Sequence, residues 1–369
     1  MSDTRVAIVG GGIIGCSIAY ELTRRGASVQ IYDMRDVAQG ATQASAGMLV
    51  PYLEGHGRGP LLDLGLRSFA LYEEFVRRVR DDSGCDIELT RPGSLQVTTD
   101  AEAAEHLAAA VAGLRSRGVS ADFLDANQVR AEEPQLSETI VGALLVSQHS
   151  YVQAGSLCVA LARAAALRGA TIHRATRVKR LVTRRSGLGV ETDSGLSEVD
   201  TVVLAAGAWS GRIDGVPCAV PVRPVRGQLL HVESDGNAPR RIIWDDECYI
   251  VPWKDGSLLL GATVEEAGFD ERATTAAVRD LLEAASGLLP SVWQARFRQV
   301  KVGLRPASSD GLPLVGRSDQ CPGLVYATGH FRNGVLLAPL TAELVAGLIL
   351  DNRSDPALDL MSPGRLGWL

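Results

Sequence analysis

The sequence has few of the features that mark metal-binding, membrane or nucleic-acid-binding proteins. It contains six cysteines in 369 residues, with no C-x-x-C pair and no Cys/His cluster, so no metal site is predicted. The scattered cysteines are expected to be reduced core thiols of a cytosolic protein: Cys16, Cys85, Cys158, Cys218, Cys248 and Cys321. No uncharged apolar run is long enough to cross a bilayer. With 37 Lys and Arg against 43 Asp and Glu, the net charge of −6 creates no field that would attract nucleic acid.

The apolar N-terminus does not fit a secretory signal peptide. In "VAIVGGGIIGCSIAY" the glycines are too dense for the apolar region of such a peptide, no basic segment precedes it, and no A-x-A site follows. The chain also has no internal repeat or low-complexity segment. We therefore expect a cytoplasmic globular protein without stable membrane insertion.

The same N-terminal stretch carries a nucleotide-binding pattern. Residues 4–10 are predicted to form a buried strand, 13–25 a helix and 28–33 a second strand. Gly10, Gly12 and Gly15 form G-x-G-x-x-G between the first strand and the helix, where the helix N-terminus can bind phosphates. Asp33 ends the second strand, where an acidic side chain can accept hydrogen bonds from a ribose. The pattern predicts a dinucleotide site, but alone it does not separate NAD from FAD.

Two further stretches favour FAD. The segment "GATQASAGM", at 40–48, consists mainly of small residues, which would let a bulky cofactor lie along the backbone. Much later, "TVVLAAGAWS" is predicted as a buried strand that ends in small residues and Gly207. Such a strand can close over the adenine end of an extended FAD.

The middle of the chain changes character. Helices are predicted at 61–80, 101–117 and 155–168, whereas residues 218–264 alternate like strands. Within them, "KDG" joins two apolar runs, and an Asp-Gly step there predicts a hairpin. We expect two interleaved domains of an α/β protein: a doubly wound, Rossmann-like cofactor domain formed by 1–80, 146–215 and 301–369, and an α+β substrate domain, built on an antiparallel sheet, formed by 81–145 and 216–300.

At this point the sequence resembles the D-amino-acid oxidase/glycine oxidase group of FAD-dependent flavoproteins. Among that group it is most similar to the bacterial glycine oxidases of thiamine biosynthesis. The stretches that carry the resemblance extend from residue 6 to residue 339: "VAIVGGGIIGCSIAYEL", "ASAGML", "VVLAAGAWSG", "CYIVP", "GLRPASSDGLPLVG" and "ATGHFRNGVLLAP". The resemblance implies a doubly wound FAD domain joined to an antiparallel substrate domain. It also implies hydride transfer from the α-carbon of an amino acid to FAD, with O2 as electron acceptor.

The resemblance assigns catalytic roles to three residues. Arg305, placed by the following proline at a strand end, would bind the substrate carboxylate through its guanidinium fork. Tyr249 would direct its hydroxyl at the same carboxylate. Arg332 lies in a mostly small and apolar turn that is expected to be buried, where an arginine needs an anionic partner, and it would reach the substrate side. His330 is not expected to be a general base, because members of the group need none, and it would instead contact the cofactor or shape the loop.

The resemblance also implies a set of cofactor-binding residues around a non-covalent FAD. No cysteine lies in "QVKVGLRP", where relatives with covalent flavin carry one. The implied residues are Gly10, Gly12, Ile13, Ile14, Gly15, Asp33, Met34, Ala41, Thr42, Ala46, Gly47, Met48, Val178, Gly207, His330, Phe331, Arg332, Asn333, Gly334, Val335 and Leu336.

Several alternatives remain open at the level of sequence. Glycine oxidases of the group often carry His and Met where this chain has Glu247 and Val264, so glycine, sarcosine, D-alanine and D-proline all stay candidate substrates. A dehydrogenase that passes electrons to a quinone is an alternative to an oxidase. An NAD-dependent dehydrogenase would explain only the first motif, and the acidic balance disfavours a tRNA-binding protein. Relatives are often tetramers, which leaves a homo-oligomer open.

Overall fold

The fold was analysed in a computed structural model that describes residues 4–54, 59–184, 187–217 and 220–367. The strands are β1 (Arg5–Val9), β2 (Ser28–Tyr32), β3 (Met48–Leu49), β4 (Leu89–Thr90), β5 (Ser94–Thr98), β6 (Ala121–Asp125), β7 (Gly142–Val146), β8 (Ser150–Val152), β9 (Thr171–His173), β10 (Arg180–Arg184), β11 (Gly187–Thr192), β12 (Gly195–Val199), β13 (Thr201–Leu204), β14 (Val222–Glu233), β15 (Ile242–Trp244), β16 (Tyr249–Pro252), β17 (Ser257–Gly261), β18 (Arg296–Ser308), β19 (Leu314–Arg317) and β20 (Leu324–Thr328).

The helices are α1 (Ile13–Arg24), α2 (Pro51–Glu54), α3 (Pro60–Ser83), α4 (Ala101–Arg115), α5 (Ala126–Glu132), α6 (Ala154–Leu167), α7 (Thr275–Leu288), α8 (Gly334–Leu350) and α9 (Pro356–Met361). Short 3-10 helices lie at Ala41–Ala44, Gly207–Arg212, Pro290–Gln294 and Pro363–Leu366. Among the described residues, no helix combines the length and the apolar character needed to cross a membrane.

A six-stranded sheet carries the N-terminal motif. Its order is β19-β20-β13-β1-β2-β9, with β19 antiparallel at the edge and the other neighbours parallel. Successive residues of β1 face opposite sides: Val6 and Ile8 pack into the cluster that contains α1, α6 and α8, whereas Ala7 and Val9 pack towards the β10–β12 meander. Because both faces are covered, β1 reads as a continuous apolar run, as parallel strands do.

An eight-stranded sheet forms the second layer. Its order is β18-β14-β17-β16-β15-β5-β7-β6, and all neighbours are antiparallel except the parallel pair β15 and β5. The Asp255–Gly256 step lies between β16 and β17, which pair antiparallel as the predicted hairpin. Helix α7 packs its apolar residues into the core of this sheet. The predicted fold class, a Rossmann-like α/β part interleaved with an antiparallel part, is confirmed.

The chain crosses between the two sheets several times, as the interleaved arrangement requires. Strands β5–β7 and β14–β18 belong to the larger sheet, and β1, β2, β9, β13, β19 and β20 to the parallel one. The five-segment division stays a prediction. Its last boundary, between 300 and 301, falls inside β18, since that strand continues to Ser308. Of the predicted core thiols, Cys85 is only half-buried, and Cys218 lies outside the described residues.

Helix α8 contains a proline, which has no backbone N–H to donate. A side chain of the neighbouring helix α3 supplies a hydrogen-bond donor in its place. Pro339 lacks the N–H that would reach the carbonyl of Val335 four residues earlier. Tyr72 on α3 donates its hydroxyl to that carbonyl at 2.5 Å, and Ser68 donates to the carbonyl of Leu336 at 2.7 Å. Tyr72 and Ser68 are buried. Helix α3 thereby fixes the first turn of α8.

We predict that Tyr72→Phe lowers the free energy of unfolding by about 1–3 kcal/mol, because it leaves a buried carbonyl without a donor. Pro339→Ala returns an N–H to the same carbonyl, so Tyr72→Phe should cost clearly less in that background. Urea denaturation of the four proteins of this double-mutant cycle measures both costs. If Tyr72→Phe lowers the free energy of unfolding equally with Pro339 and with Pro339→Ala, the hydroxyl of Tyr72 does not replace the missing N–H of Pro339.

Candidate active site

The reason for glycine differs among the three glycines of the N-terminal motif. Gly10 has φ +114°, and a Cβ there would lie 2.3 Å from the carbonyl oxygen of Ala205. A Cβ on Gly15 would lie 1.9 Å from the carbonyl oxygen of Gly10. Both positions therefore require glycine for the protein's own packing, where β1 turns into α1.

Gly12 is different, because the protein itself does not require glycine there. Its φ of −79° suits any residue, and an added Cβ would meet only Thr42 Oγ1, at an ordinary 3.5 Å. Gly12 lines a cavity at the N-terminus of α1, where backbone N–H groups have no partner within the helix. Space kept free at this point suits the close approach of a pyrophosphate.

Two side chains brace the N-terminus of α1. Asp33, at the end of β2, accepts hydrogen bonds from the backbone N–H groups of Gly11 at 2.7 Å and Arg35 at 2.8 Å. Thr42 Oγ1 accepts from Ile13 N at 3.0 Å. The carboxylate also borders the cavity. Asp33 therefore shapes the turn itself, in addition to the ribose contact predicted for it.

One cavity of about 560 Å³ connects almost all the predicted site residues. Those that line it are Gly10, Gly12, Ile13, Ile14, Asp33, Met34, Ala41, Thr42, Ala46, Gly47, Met48, Val178, Gly207, Tyr249, Arg305, His330, Phe331, Arg332, Gly334 and Val335. The predicted residues Gly15, Asn333 and Leu336 are not among its lining residues. Gly15 packs behind the loop, and Asn333 and Leu336 are buried at the start of α8.

The loop at 330–334 is tied to the end of β18. Phe331 donates its N–H to the carbonyl of Pro306 at 2.8 Å, and His330 pairs with Ala307. Phe331 has φ +48°, an unfavourable conformation for a residue with a side chain, and this tether holds it there. Helix α8 starts at Gly334, so its positive N-terminal end faces the cavity.

His330 and Arg332 belong to the same loop but differ in exposure to solvent. His330 is buried, its Nε2 lies 3.1 Å from Thr341 Oγ1, and burial lowers its pKa to about 3. The imidazole is therefore neutral at physiological pH and hydrogen-bonded within the protein. Arg332, in contrast, is exposed at the cavity rim, so the prediction of a buried arginine was wrong.

Arg305 and Tyr249 lie at the end of the cavity formed by the larger sheet. Arg305 lies within β18, three residues before its end, and donates through Nη1 to the carbonyl of Thr263 at 2.9 Å. Its guanidinium lies over Gly227, where a Cβ would be 2.4 Å from Cζ, Nη1 and Nη2. The ring of Tyr249 lies over Gly261 in the same way, since a Cβ there would be 2.5 Å from the hydroxyl oxygen. Each of these two candidate side chains therefore lies over a glycine of the neighbouring strand.

The cavity is also lined by Arg35, Trp209 and Arg212, which the sequence analysis missed. Arg35 stacks over Trp209, with its Cζ 4.9 Å from the ring centroid, and forms an ion pair with Glu271. Arg212 lies 4.4 Å over the ring of Phe269. The stretch "LAAGAWS" contained Trp209, which was the one available signal. The other contacts join distant parts of the chain and have no local pattern.

The sequence matches the model of one known protein family over nearly its whole length. The model of the DAO family, FAD dependent oxidoreductase, matches residues 5–348, nearly the whole chain. The chain belongs to the DAO family. The predicted family, an FAD-dependent enzyme and FAD as cofactor are thereby confirmed.

Relatives within the DAO family support the same assignment over the full length. The chain is 36% identical over 358 residues to a glycine oxidase of Geobacillus kaustophilus (strain HTA426), which covers 96% of this chain and 94% of the relative. The crystal structure of glycine oxidase from Geobacillus kaustophilus superposes with a TM-score of 0.93 at 35% identity, covering 98% and 99% of the two chains. Iminodiacetate oxidase from Chelativorans sp. BNC1 has a TM-score of 0.88 at 27% identity, covering 97% and 99%.

We predict that Gly12→Ala folds normally but binds FAD about 10-fold or more weakly, because the added methyl group occupies the space reserved for the pyrophosphate. Gly15→Ala should instead lower the yield of folded protein, since its methyl group collides with backbone. Flavin content and FAD titration of the two purified variants distinguish these effects. A Gly12→Ala protein with full FAD affinity would contradict the role of Gly12.

A second prediction concerns pH. Between pH 6.5 and the lowered pKa of His330, the unfolded chain binds a proton at this residue that the folded protein does not bind. Stability therefore falls with decreasing pH by about 1.4 kcal/mol per unit for this residue. In His330→Asn, the loss of stability between pH 7 and pH 5 should shrink by about 2 kcal/mol.

Urea denaturation of the holoenzyme at fixed FAD concentration measures this difference. His106→Asn, an exposed position on α4, is the matched control. A loss in His330→Asn as large as in the unchanged protein would refute the burial of a neutral imidazole.

Proposed function

We propose that the protein catalyses FAD-dependent oxidative deamination of glycine or another small amino acid. The observation that carries this proposal is the guanidinium of Arg305, held over Gly227 and lining the same cavity as the dinucleotide motif. A guanidinium fork in a partly buried site matches a carboxylate in two parallel hydrogen bonds. Family membership and the two relatives named as oxidases support the same reaction.

The lining residues divide into three groups along the cavity that suit an extended FAD. Asp33, Met34, Val178 and Gly207 would hold the adenosine end. The N-terminus of α1, with Gly12, Ile13 and Ile14, would bind the pyrophosphate. Segment 46–48 and loop 330–335 would contact the isoalloxazine ring. FAD, when bound, would supply the acceptor for the hydride that leaves the substrate α-carbon, with O2 as the proposed final electron acceptor and H2O2 as its product.

The protein's own part in the reaction is binding and orientation. Arg305 and the hydroxyl of Tyr249 would hold the substrate carboxylate, so that the α-carbon is directed towards the ring. Arg332 would close the rim of the site. No protein base is required when the amine enters neutral. His330 would be a weak base, because burial lowers its pKa to about 3 and its Nε2 lies within hydrogen-bond distance of Thr341. Hydrolysis of the imine product would give an oxo acid and ammonia, or an oxo acid and an amine where the substrate nitrogen is substituted.

We further propose that FAD is bound without a covalent link. Cys248 is a cavity-lining thiol, and burial raises its pKa to about 12, so it is protonated and a poor nucleophile. Cys321 is buried in the core beside the meander and does not line the cavity.

Four of the five described free cysteines are buried, which supports a reducing, cytoplasmic location.

The first experiment is an anaerobic titration of the yellow holoenzyme with glycine, sarcosine, D-alanine and D-proline. Bleaching of the flavin bands by one of them is the expected result and identifies the substrate. Rapid return of the colour on admission of air would identify an oxidase, whereas a slow return with rapid reoxidation by a quinone would favour the alternative dehydrogenase. A flavin that none of the four bleaches would contradict the proposed reaction.

We predict that Arg305→Ala raises the KM for the substrate about 100-fold or more, because truncation of a buried charged partner costs about 2–5 kcal/mol. The spectrum of the bound flavin should stay near normal. Arg296→Ala, an exposed arginine at the start of the same strand, is the matched control. Unchanged kinetics of Arg305→Ala would remove Arg305 from the site.

A further inference from the structure

An ion pair between a buried arginine and a half-buried glutamate lies directly behind Arg305. Arg226, on β14, is 6% exposed, and the residue before it, Val225, pairs with Arg305 across the sheet. Glu265 follows β17 and pairs with Arg226 through two backbone hydrogen bonds, of 2.9 and 3.0 Å. The guanidinium of Arg226 donates to Glu265 Oε2 from Nη2 at 2.5 Å and from Nε at 3.1 Å. Backbone and side chains therefore fix the same two residues to each other.

The second carboxylate oxygen of Glu265 fixes Thr263. Glu265 Oε1 accepts the hydroxyl of Thr263 at 2.5 Å and the side-chain amide of Gln228 at 2.8 Å. The same hydroxyl accepts the N–H of Gln228 at 2.9 Å, and Thr263 N donates to the carbonyl of Gln228 at 3.1 Å. Burial alone would raise the pKa of Glu265, but hydrogen bonds from Thr263, Arg226 and Gln228 outweigh it and lower the pKa. The carboxylate is therefore charged at neutral pH.

Arg305 makes its hydrogen bonds to this framework. Its Nη1 donates to the carbonyl of Thr263 at 2.9 Å and to that of Arg226 at 3.4 Å. These two carbonyls belong to the residues that Glu265 holds. Arg226 also donates to the carbonyls of Asp270 and Arg272 and forms a second ion pair with the Asp270 carboxylate, at 3.3 Å. Its guanidinium is therefore held by these groups, and Arg226 does not line the cavity.

A buried ion pair contributes little net stability, because desolvation offsets the attraction between the charges. Its best-supported use is to specify one arrangement of the groups around it. We propose that Arg226 and Glu265 are positioning residues that set the guanidinium of Arg305 through the carbonyls of Arg226 and Thr263, and thereby set the affinity for the substrate carboxylate. This inference rests on the proposed function, in which Arg305 binds that carboxylate.

The test uses Glu265→Gln, which keeps the shape of the side chain but removes its charge. Glu266→Gln is the matched control, because Glu266 pairs with Arg223 in an exposed ion pair on the same two segments. Acetate serves as the carboxylate probe, and its dissociation constant is measured from the change in the flavin spectrum of each holoenzyme. Glu265→Gln should weaken acetate about 10-fold, while Glu266→Gln should leave it unchanged.

A double-mutant cycle separates positioning from a general structural effect. Arg305→Lys keeps the charge but loses the fork, and it should itself weaken acetate. If Glu265 acts through Arg305, the double variant Glu265→Gln/Arg305→Lys should bind acetate no more weakly than Arg305→Lys alone. Additive losses would overturn the proposal, as would a Glu265→Gln protein that matches the Glu266→Gln control.

Failure of the proposed function gives a different result. If Arg305→Lys binds acetate normally, Arg305 is not the carboxylate site, and the positioning proposal fails with it. If Glu265→Gln does not retain FAD, Thr263→Val removes the hydroxyl link between Glu265 and Gln228 and should weaken acetate in the same non-additive way. If neither variant retains FAD, the network supports the fold as a whole and the positioning role is rejected.

Discussion

The end of β18 is the constraint on which the site depends. Within a few residues it places Gly303 against the segment at Ala41–Ala44, turns Arg305 over Gly227, and accepts the N–H of Phe331 at Pro306. A Cβ on Gly303 would lie 2.8 Å from that of Ala44, so the approach leaves no room for a larger residue. The small-residue segment, the carboxylate-binding candidate and the 330–334 loop are therefore brought together by one strand, although they are far apart in sequence.

Helix N-termini supply much of the remaining polarity of the cavity. The N-terminus of α1 is braced by Asp33 and Thr42, and that of α8 is fixed by Tyr72 and Ser68 from α3. In both cases side chains from other segments bind backbone groups at or just before the first turn of the helix. Positive helix ends stabilise nearby negative charge without a mobile cation. Of the larger sheet's arginines, Arg305 is the one that lines the cavity as the proposed carboxylate partner.

Sequence reasoning succeeded where local chemistry determines structure. The spacing of Gly10, Gly12 and Gly15, the Asp255–Gly256 turn and the apolar alternation of the strands each follow from short-range sterics, and they predicted the fold class. It failed where a side chain's surroundings come from distant segments. The exposure of Arg332 and the Arg35–Trp209 stack depend on how strands and loops meet. The pairing of Arg226 with Glu265 was missed for the same reason, because it joins residues 39 positions apart.

Val264 lies at the rim of the cavity, where one residue lines the cavity and its two neighbours belong to the supporting framework. Its neighbours Thr263 and Glu265 are fixed by the buried network, while its own side chain lines the cavity and is 61% exposed. Replacement of an exposed side chain usually changes stability little. In the proposed site, a different side chain at this position would change the space offered to the substrate while the framework around Arg305 stays intact.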